Sequence, residues 1–152
     1  MNKAFLREPD STDEFCPRCG AAGLTVQRAT ILNQARDAAS VLIAEVANFC
    51  PTPTCDVAYF DMFERVVSVD ALKAGVYPKD PSAPICSCFG LTADDIEQDL
   101  AEGGVTRTKA CLLQAQGPLA QCHARSPTAR SCVTDVQRYY LQRKNSKREP
   151  PR

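Results

Sequence analysis

The sequence predicts an α+β protein, a small β-rich lobe followed by a helical one. Three observations carry this expectation. Eight of the nine cysteines fall into two groups, divided by a connector that holds Gly75, Pro78, Pro81 and Pro84. Strand-like residues, Phe49 and Val57-Ala58-Tyr59-Phe60, flank the second half of the first group. Helix start and stop signals follow the opening of the second group. With 152 residues, ordinary apolar content and no Trp, each lobe would have a thin core and would depend on metal staples.

Along the chain, residues 1–13 read as a polar, charged leader. Cys16-Pro17-Arg18-Cys19-Gly20 reads as a knuckle, a tight turn whose backbone N–H groups face the thiolates and which Gly20 allows to close. The Ala-rich middle, Leu32 to Ala47, contains Leu42, Ile43 and Val46, and its periodicity does not decide between helix and strand. Phe49-Cys50 and Cys55 to Phe60 frame a second knuckle. The connector, about Asp70 to Pro84, is punctuated too often for a regular element. Thr92-Ala93-Asp94-Asp95 reads as a capping box with Asp in place of Glu, opening a helix that carries Ile96 and Leu100 inward and stops at Gly103-Gly104. A second helix is expected over Thr106 to Gln116, ending at Gly117-Pro118. Pro127 interrupts the next stretch. A third helix follows from about Val133 to Arg143, with Val133, Val136 and Tyr140 on one face. The expected organisation is thus leader 1–13, metal-binding lobe 14–70, linker 71–84, second metal-binding lobe 85–137, and a basic tail 138–152 continuing the last helix.

Composition narrows the function classes. The leader lacks the apolar run of an export signal, and no run of about eighteen apolar residues could span a bilayer. The expected address is therefore cytoplasmic, where thiols stay reduced and clustered cysteines usually hold metal. Net charge is zero, but from Arg138 onward six basic residues face only Glu149, which leaves the upstream body net acidic. A solvated chain end is the plain reading of that tail; contact with nucleic acid or an acidic partner is the functional one. With a single His in the chain, and without a Walker loop or a dinucleotide fingerprint, acid–base and nucleophilic enzymology have few candidates. The chain reads as an electron-transfer or metallochaperone-type protein rather than an enzyme.

The first group is Cys16-x2-Cys19, thirty residues, then Cys50-x4-Cys55. Two chelating pairs on separate knuckles suit the closed tetrahedral shell of structural Zn2+. A rubredoxin-type iron site would more typically use two Cys-x2-Cys pairs. In small zinc domains, binding and folding are coupled by about 10–16 kcal/mol. The second group is Cys86-x-Cys88, with Cys122 and Cys132 as the natural second pair. Cys-x-Cys is tight for a structural zinc knuckle but can place two thiolates on one iron of a [2Fe–2S] cluster. Spacing alone also allows Cys111 in place of one of the later pair.

These motifs resemble a known arrangement. Ile85-Cys-Ser-Cys-Phe-Gly-Leu-Thr-Ala-Asp-Asp-Ile96 resembles the opening of the bacterioferritin-associated-ferredoxin-like (BFD-like) [2Fe–2S] domain. Gln121-Cys-His-Ala-Arg-Ser-Pro-Thr-Ala-Arg-Ser-Cys-Val-Thr-Asp-Val136 resembles the closing segment of its CopZ variant. There the last two ligands stand about ten positions apart. Cys16-Pro-x-Cys-Gly20, Phe49-Cys50-Pro51 and Cys55-Asp56-Val57-x-Tyr59-Phe60 resemble the zinc-binding portion of the same CopZ-type copper chaperones. The resemblance covers roughly residues 15–137. It implies Cys86, Cys88, Cys122 and Cys132 as cluster ligands and places Cys16, Cys19, Cys50 and Cys55 on the zinc segment. It also implies a redox or metal-transfer protein as partner, with copper ion as a further candidate partner. The heavy-metal-associated domain of those chaperones, with its Met-x-Cys-x-x-Cys copper motif, has no counterpart in this sequence.

Several residues near the ligands admit two readings. His123 adjoins Cys122; Rieske-type ligation would require two His, so a surface His that tunes the cluster is the better reading. Cys111 sits beside Leu112 and Leu113 in an expected helix, as a buried apolar thiol, a spare ligand or a transient copper thiolate. Asp56 either supports Cys55 or belongs to the loop. Arg107, Lys109, Arg125 and Arg130 bracket the cluster ligands, as solvated charge or as an offset to the thiolates. The functional expectation is a redox accessory protein of copper or other heavy-metal homeostasis. Two alternatives stand beside it: a general ferredoxin-like electron-transfer partner, and a zinc-ribbon module that uses its basic tail on nucleic acid.

Overall fold

A computed structural model describes residues 14–121 and 125–148. The first lobe is a four-stranded antiparallel sheet in the order β1-β2-β3-β4. Its strands are β1 (Leu24–Val26), β2 (Ala47–Phe49), β3 (Val57–Phe60) and β4 (Val66–Ser68). Two short helices, α1 (Arg28–Gln34) and α2 (Asp37–Ser40), connect β1 to β2. The Ala-rich middle that periodicity left open therefore divides: helix first, then a loop, then strand. Gln34 and Asp37 bracket an extended break at Ala35, whose pairing with Leu72 ties the helical excursion back to the lobe.

Every residue of β3 is buried, as expected for a central apolar strand covered on both faces. Ala58 and Tyr59 join Val26, Ile31, Phe49, Val67, Leu72 and Val76 in one core, while Val57 and Phe60 pack with Cys16, Cys50 and Cys55 in another. Phe49 meets Tyr59 edge-on with ring centroids 5.5 Å apart, the geometry favoured by aromatic quadrupoles. The stretch after β4 holds a single 3-10 turn (Val69–Ala71). It is not a free tether, because Leu72 and Val76 are buried in the sheet lobe's core.

The second lobe comprises α3 (Ala93–Glu102), α4 (Thr106–Ala115) and α5 (Val133–Arg148). The expected capping box is present: the Thr92 hydroxyl accepts from the Asp95 N–H, and the Asp95 carboxylate accepts from the Thr92 N–H. Gly103 closes α3 in the left-handed region at φ 75°, where glycine carries no Cβ penalty. α4 has no side-chain cap of its own at Val105. Asp99 of α3 supplies one instead, accepting from the N–H groups of Arg107 and Thr108 and from the Thr108 hydroxyl. α5 continues beyond Arg143 into the basic tail as far as Arg148, and the Arg143 guanidinium is anchored on Glu97 of α3. Ile96, Leu91, Ala115 and Val136 form this lobe's core together with Cys86, Cys111 and Cys132. No described helix is long and apolar enough to cross a membrane.

Candidate metal centres

The first centre forms where two loops converge, the turn before β1 and the β2–β3 connection. Cys16 and Cys19 lie on a turn closed by two backbone bonds, Cys16 N–H to Ala21 O at 2.8 Å and Gly20 N–H to Cys16 O at 2.9 Å. Gly20 has φ 78°, so the turn needs the residue that the sequence supplies. Cys50 directly follows β2 and Cys55 precedes β3 by two residues. All four Sγ atoms lie within 4.8 Å of one another. With metal–sulfur bonds of about 2.3 Å, thiolates around one tetrahedral ion sit roughly 4 Å apart, so the donor set fits Zn2+. Cys16, Cys50 and Cys55 are buried, while Cys19 is exposed at the rim.

The thiols are electrostatically unequal. Cys19 is lowered to about 6, chiefly because the Thr52 hydroxyl bonds its sulfur at 3.2 Å, with help from the backbone at Ala21. Burial raises Cys50 to about 12 and also raises Cys55. A cation is what allows the buried thiols to ionise. Two residues outside the cysteine motifs support the loops. Lys79 donates from Nζ to the carbonyls of Thr52 at 2.8 Å and Cys55 at 3.0 Å, and its charge favours the Cys50 thiolate. Asp56, ambiguous in sequence, accepts from Arg18 at 2.7 Å and so links the two knuckles through an exposed pair. Thr52 was detectable as a hydroxyl inside the Cys50-x4-Cys55 loop; Lys79 carries no local signal.

Residues 13–73 match the family model of a CopZ zinc binding domain. The zinc binding domain therefore holds all four cysteines of the first centre. No curated protein matches the chain. Among solved structures, the N-terminal domain of Archaeoglobus fulgidus CopZ is similar at 22% identity, with a TM-score of 0.70 over 82% of this chain and 96% of that one. The likeness of fold thus continues beyond the zinc binding domain into the helical lobe.

In the helical lobe, Cys86 lies on a turn bonded like the first knuckle. Its N–H reaches Leu91 O at 3.2 Å, Gly90 N–H returns to Cys86 O at 2.8 Å, and Gly90 has φ 76°. Three thiols gather there: Cys86, Cys111 of α4, and Cys132 just before α5, all buried and with sulfurs within 4.8 Å of one another. Cys88, expected beside Cys86, is half-buried and lies outside that trio; its sulfur accepts from Gln121 N–H at 3.4 Å. Cys122 and His123 lie outside the described residues. Hydrogen bonds from the Cys111 and Cys132 thiols lower Cys86 to about 3, and the same contacts help raise Cys132. Thiols gathered this closely offer soft donors to a metal once deprotonated. The donor set, thiolates in an apolar helical core, fits iron–sulfur chemistry.

The surrounding charges serve other purposes. Arg107 is committed to Asp99 and Glu102 at the corner between α3 and α4. Arg130 donates to its neighbour Thr128 O. On α5, Arg138 pairs with Asp135, Arg143 with Glu97, and Lys144 lies over the Tyr140 ring. Arg138 and Arg143 of the tail are thus paired with carboxylates of their own lobe.

Proposed function

We propose that the chain is a zinc- and [2Fe–2S]-binding redox accessory of copper handling, which passes single electrons and so reduces Cu(II) to Cu(I) for a thiolate acceptor. The supporting observation is the gathering of buried thiols at Cys86 and Cys132, with Cys88 on the adjoining turn, in a helical lobe joined to a CopZ-type zinc binding domain. On this reading residues 14–70 form the zinc-binding unit, 71–84 the connection and 85–137 the BFD-like unit. Cys16, Cys19, Cys50 and Cys55 hold Zn2+ as a structural ion. Cys86, Cys88, Cys122 and Cys132 hold the cluster, which when bound supplies a one-electron couple. The chain's own residues exclude water around Cys86 and Cys132 through Ile85, Leu91, Ile96 and Val136, and Cys88 at the half-exposed edge marks the side a redox partner would approach.

The test is metal and sulfide content of protein purified without oxygen and reconstituted with iron and sulfide. About one zinc, two irons and two sulfides per chain is the expected result. Zinc alone, after reconstitution, would sink the redox reading and leave a zinc-stapled binding module.

A further inference from the structure

The sequence of the helical lobe carries five cysteines where a [2Fe–2S] cluster needs four, and Cys111 is not peripheral. Cys111 projects from α4 into the core and its sulfur lies within 4.8 Å of those of both Cys86 and Cys132. Ligands on opposite irons of a cluster are held apart by the width of the Fe2S2 unit. Three sulfurs that are all mutual neighbours instead match the roughly 4 Å spacing of thiolates around a single ion. Among the described residues no carboxylate or His joins the trio. Soft thiolate donors select Cu(I), and a d10 monovalent ion is satisfied by three of them.

We propose that Cys86, Cys111 and Cys132 form a three-thiolate site for one soft monovalent d10 ion, Cu(I), occupied when the lobe carries no cluster. The ligand set stands on the sulfur geometry alone; the choice of copper rests on the function proposed above. Binding involves no change of oxidation state. Cu(I) enters as Cu(I), and each thiol still protonated releases its proton to solvent as the copper–sulfur bond forms. The site and the cluster share Cys86 and Cys132, so their occupancies exclude one another. Cluster loss would convert an electron-transfer lobe into a copper-holding one.

The test uses the full zinc-loaded chain, kept anaerobic and free of iron. Cu(I) is titrated against a colorimetric Cu(I) chelator, with zinc release followed and copper X-ray absorption recorded on the product. The expected result is about one Cu(I) per chain bound to three sulfurs, with zinc retained. Cys111→Ala is expected to bind at least about tenfold more weakly, with two sulfurs on copper. Four sulfurs or an oxygen or nitrogen donor on copper in the unsubstituted chain, displacement of zinc, or unchanged affinity in Cys111→Ala would each overturn the proposal. Reconstitution of Cys111→Ala with iron and sulfide separates the two readings. A full complement leaves Cys111 to the single-ion site, whereas a deficit makes it a cluster ligand and overturns the proposal. Failure of the unsubstituted chain to take up iron and sulfide would instead count against the redox function, leaving the copper site to its own measurement.

Discussion

The Tyr59 hydroxyl donates a 2.6 Å hydrogen bond to the carbonyl of Pro127, so the central strand of the sheet lobe holds the loop that leads into Cys132. Gln34 adds a second bond to the same loop, from Nε2 to Arg125 O at 2.7 Å, and Ala129 packs on the sheet lobe's core. The two centres are therefore mechanically joined: the segment that positions the last thiol of one rests on the folded body of the other.

Tyr59→Phe removes the hydroxyl and leaves the Pro127 carbonyl without this partner. A loss of about 1–2 kcal/mol is expected, read as a lower urea midpoint at unchanged zinc content. An unchanged midpoint would show that the lobes are not coupled through this bond.

Removing zinc with a strong chelator is expected to unfold the sheet lobe, because Cys16, Cys50 and Cys55 are themselves part of its core and metal binding in such domains is folding energy. Hydrogen exchange would show protection lost across β2 and β3 on chelation. Full protection retained in the metal-free chain would refute the coupling.

Lys79 clamps the Cys50–Cys55 loop at Thr52 and Cys55 by its two carbonyl contacts. Lys79→Met keeps the apolar stem and removes the donor and charge. Zinc transfer to a competing chelator is expected to become about tenfold more favourable, as for loss of other groups that orient metal ligands.

Asp99 is buried and accepts from Thr108 and Arg107. Burial by itself would raise its carboxyl, but the Thr108 N–H and hydroxyl and the Arg107 contacts outweigh this and hold it below the ordinary carboxylate range. A depressed carboxylate stabilises the fold above the unfolded value of about 4, and that contribution is lost as pH falls through the lower folded value. Asp99→Asn should cost about 2–3 kcal/mol at neutral pH, and the gap from the unsubstituted chain should narrow below about pH 4. Urea titrations of both chains across that range check the sign; a gap that widens in acid would contradict it.

Gly20 and Gly90 occupy equivalent positive-φ positions, and a Cβ at either would meet nothing within 4 Å. Alanine there should cost only the backbone penalty, about 1–2 kcal/mol at each site. Unequal costs by differential scanning calorimetry would show that the two turns are not mechanically alike.

Much of this was legible in the sequence because its signals are local. Thr92 and Asp95 are three residues apart, Gly103 follows directly, and the Cys16–Gly20 turn is complete within five residues. The Ala-rich middle was not legible, since α1 and α2 together are short and their stability comes from contacts such as Ile31 in the core rather than from propensity. The tie between Arg143 and Glu97 was not legible, because the partners stand 46 positions apart. Cys111 was legible as an alternative ligand but not as the one that joins Cys86 and Cys132: that choice depends on how α4 packs, which no spacing rule encodes. Lys79 was missed for the same reason.

The two thiol-bearing turns share a backbone down to their hydrogen bonds and their glycine, yet differ in where the second cysteine stands, at the fourth residue in Cys16–Cys19 and the third in Cys86–Cys88. Exchanging the neighbours Cys88 and Phe89 would rewrite one pattern as the other without moving a single peptide bond. The loop behaves as a socket of fixed shape in which the address of one sulfur is the adjustable part. An ancestral chain could have acquired a second kind of centre by copying a working turn and shifting a side chain by one place, a far shorter step than inventing a new loop.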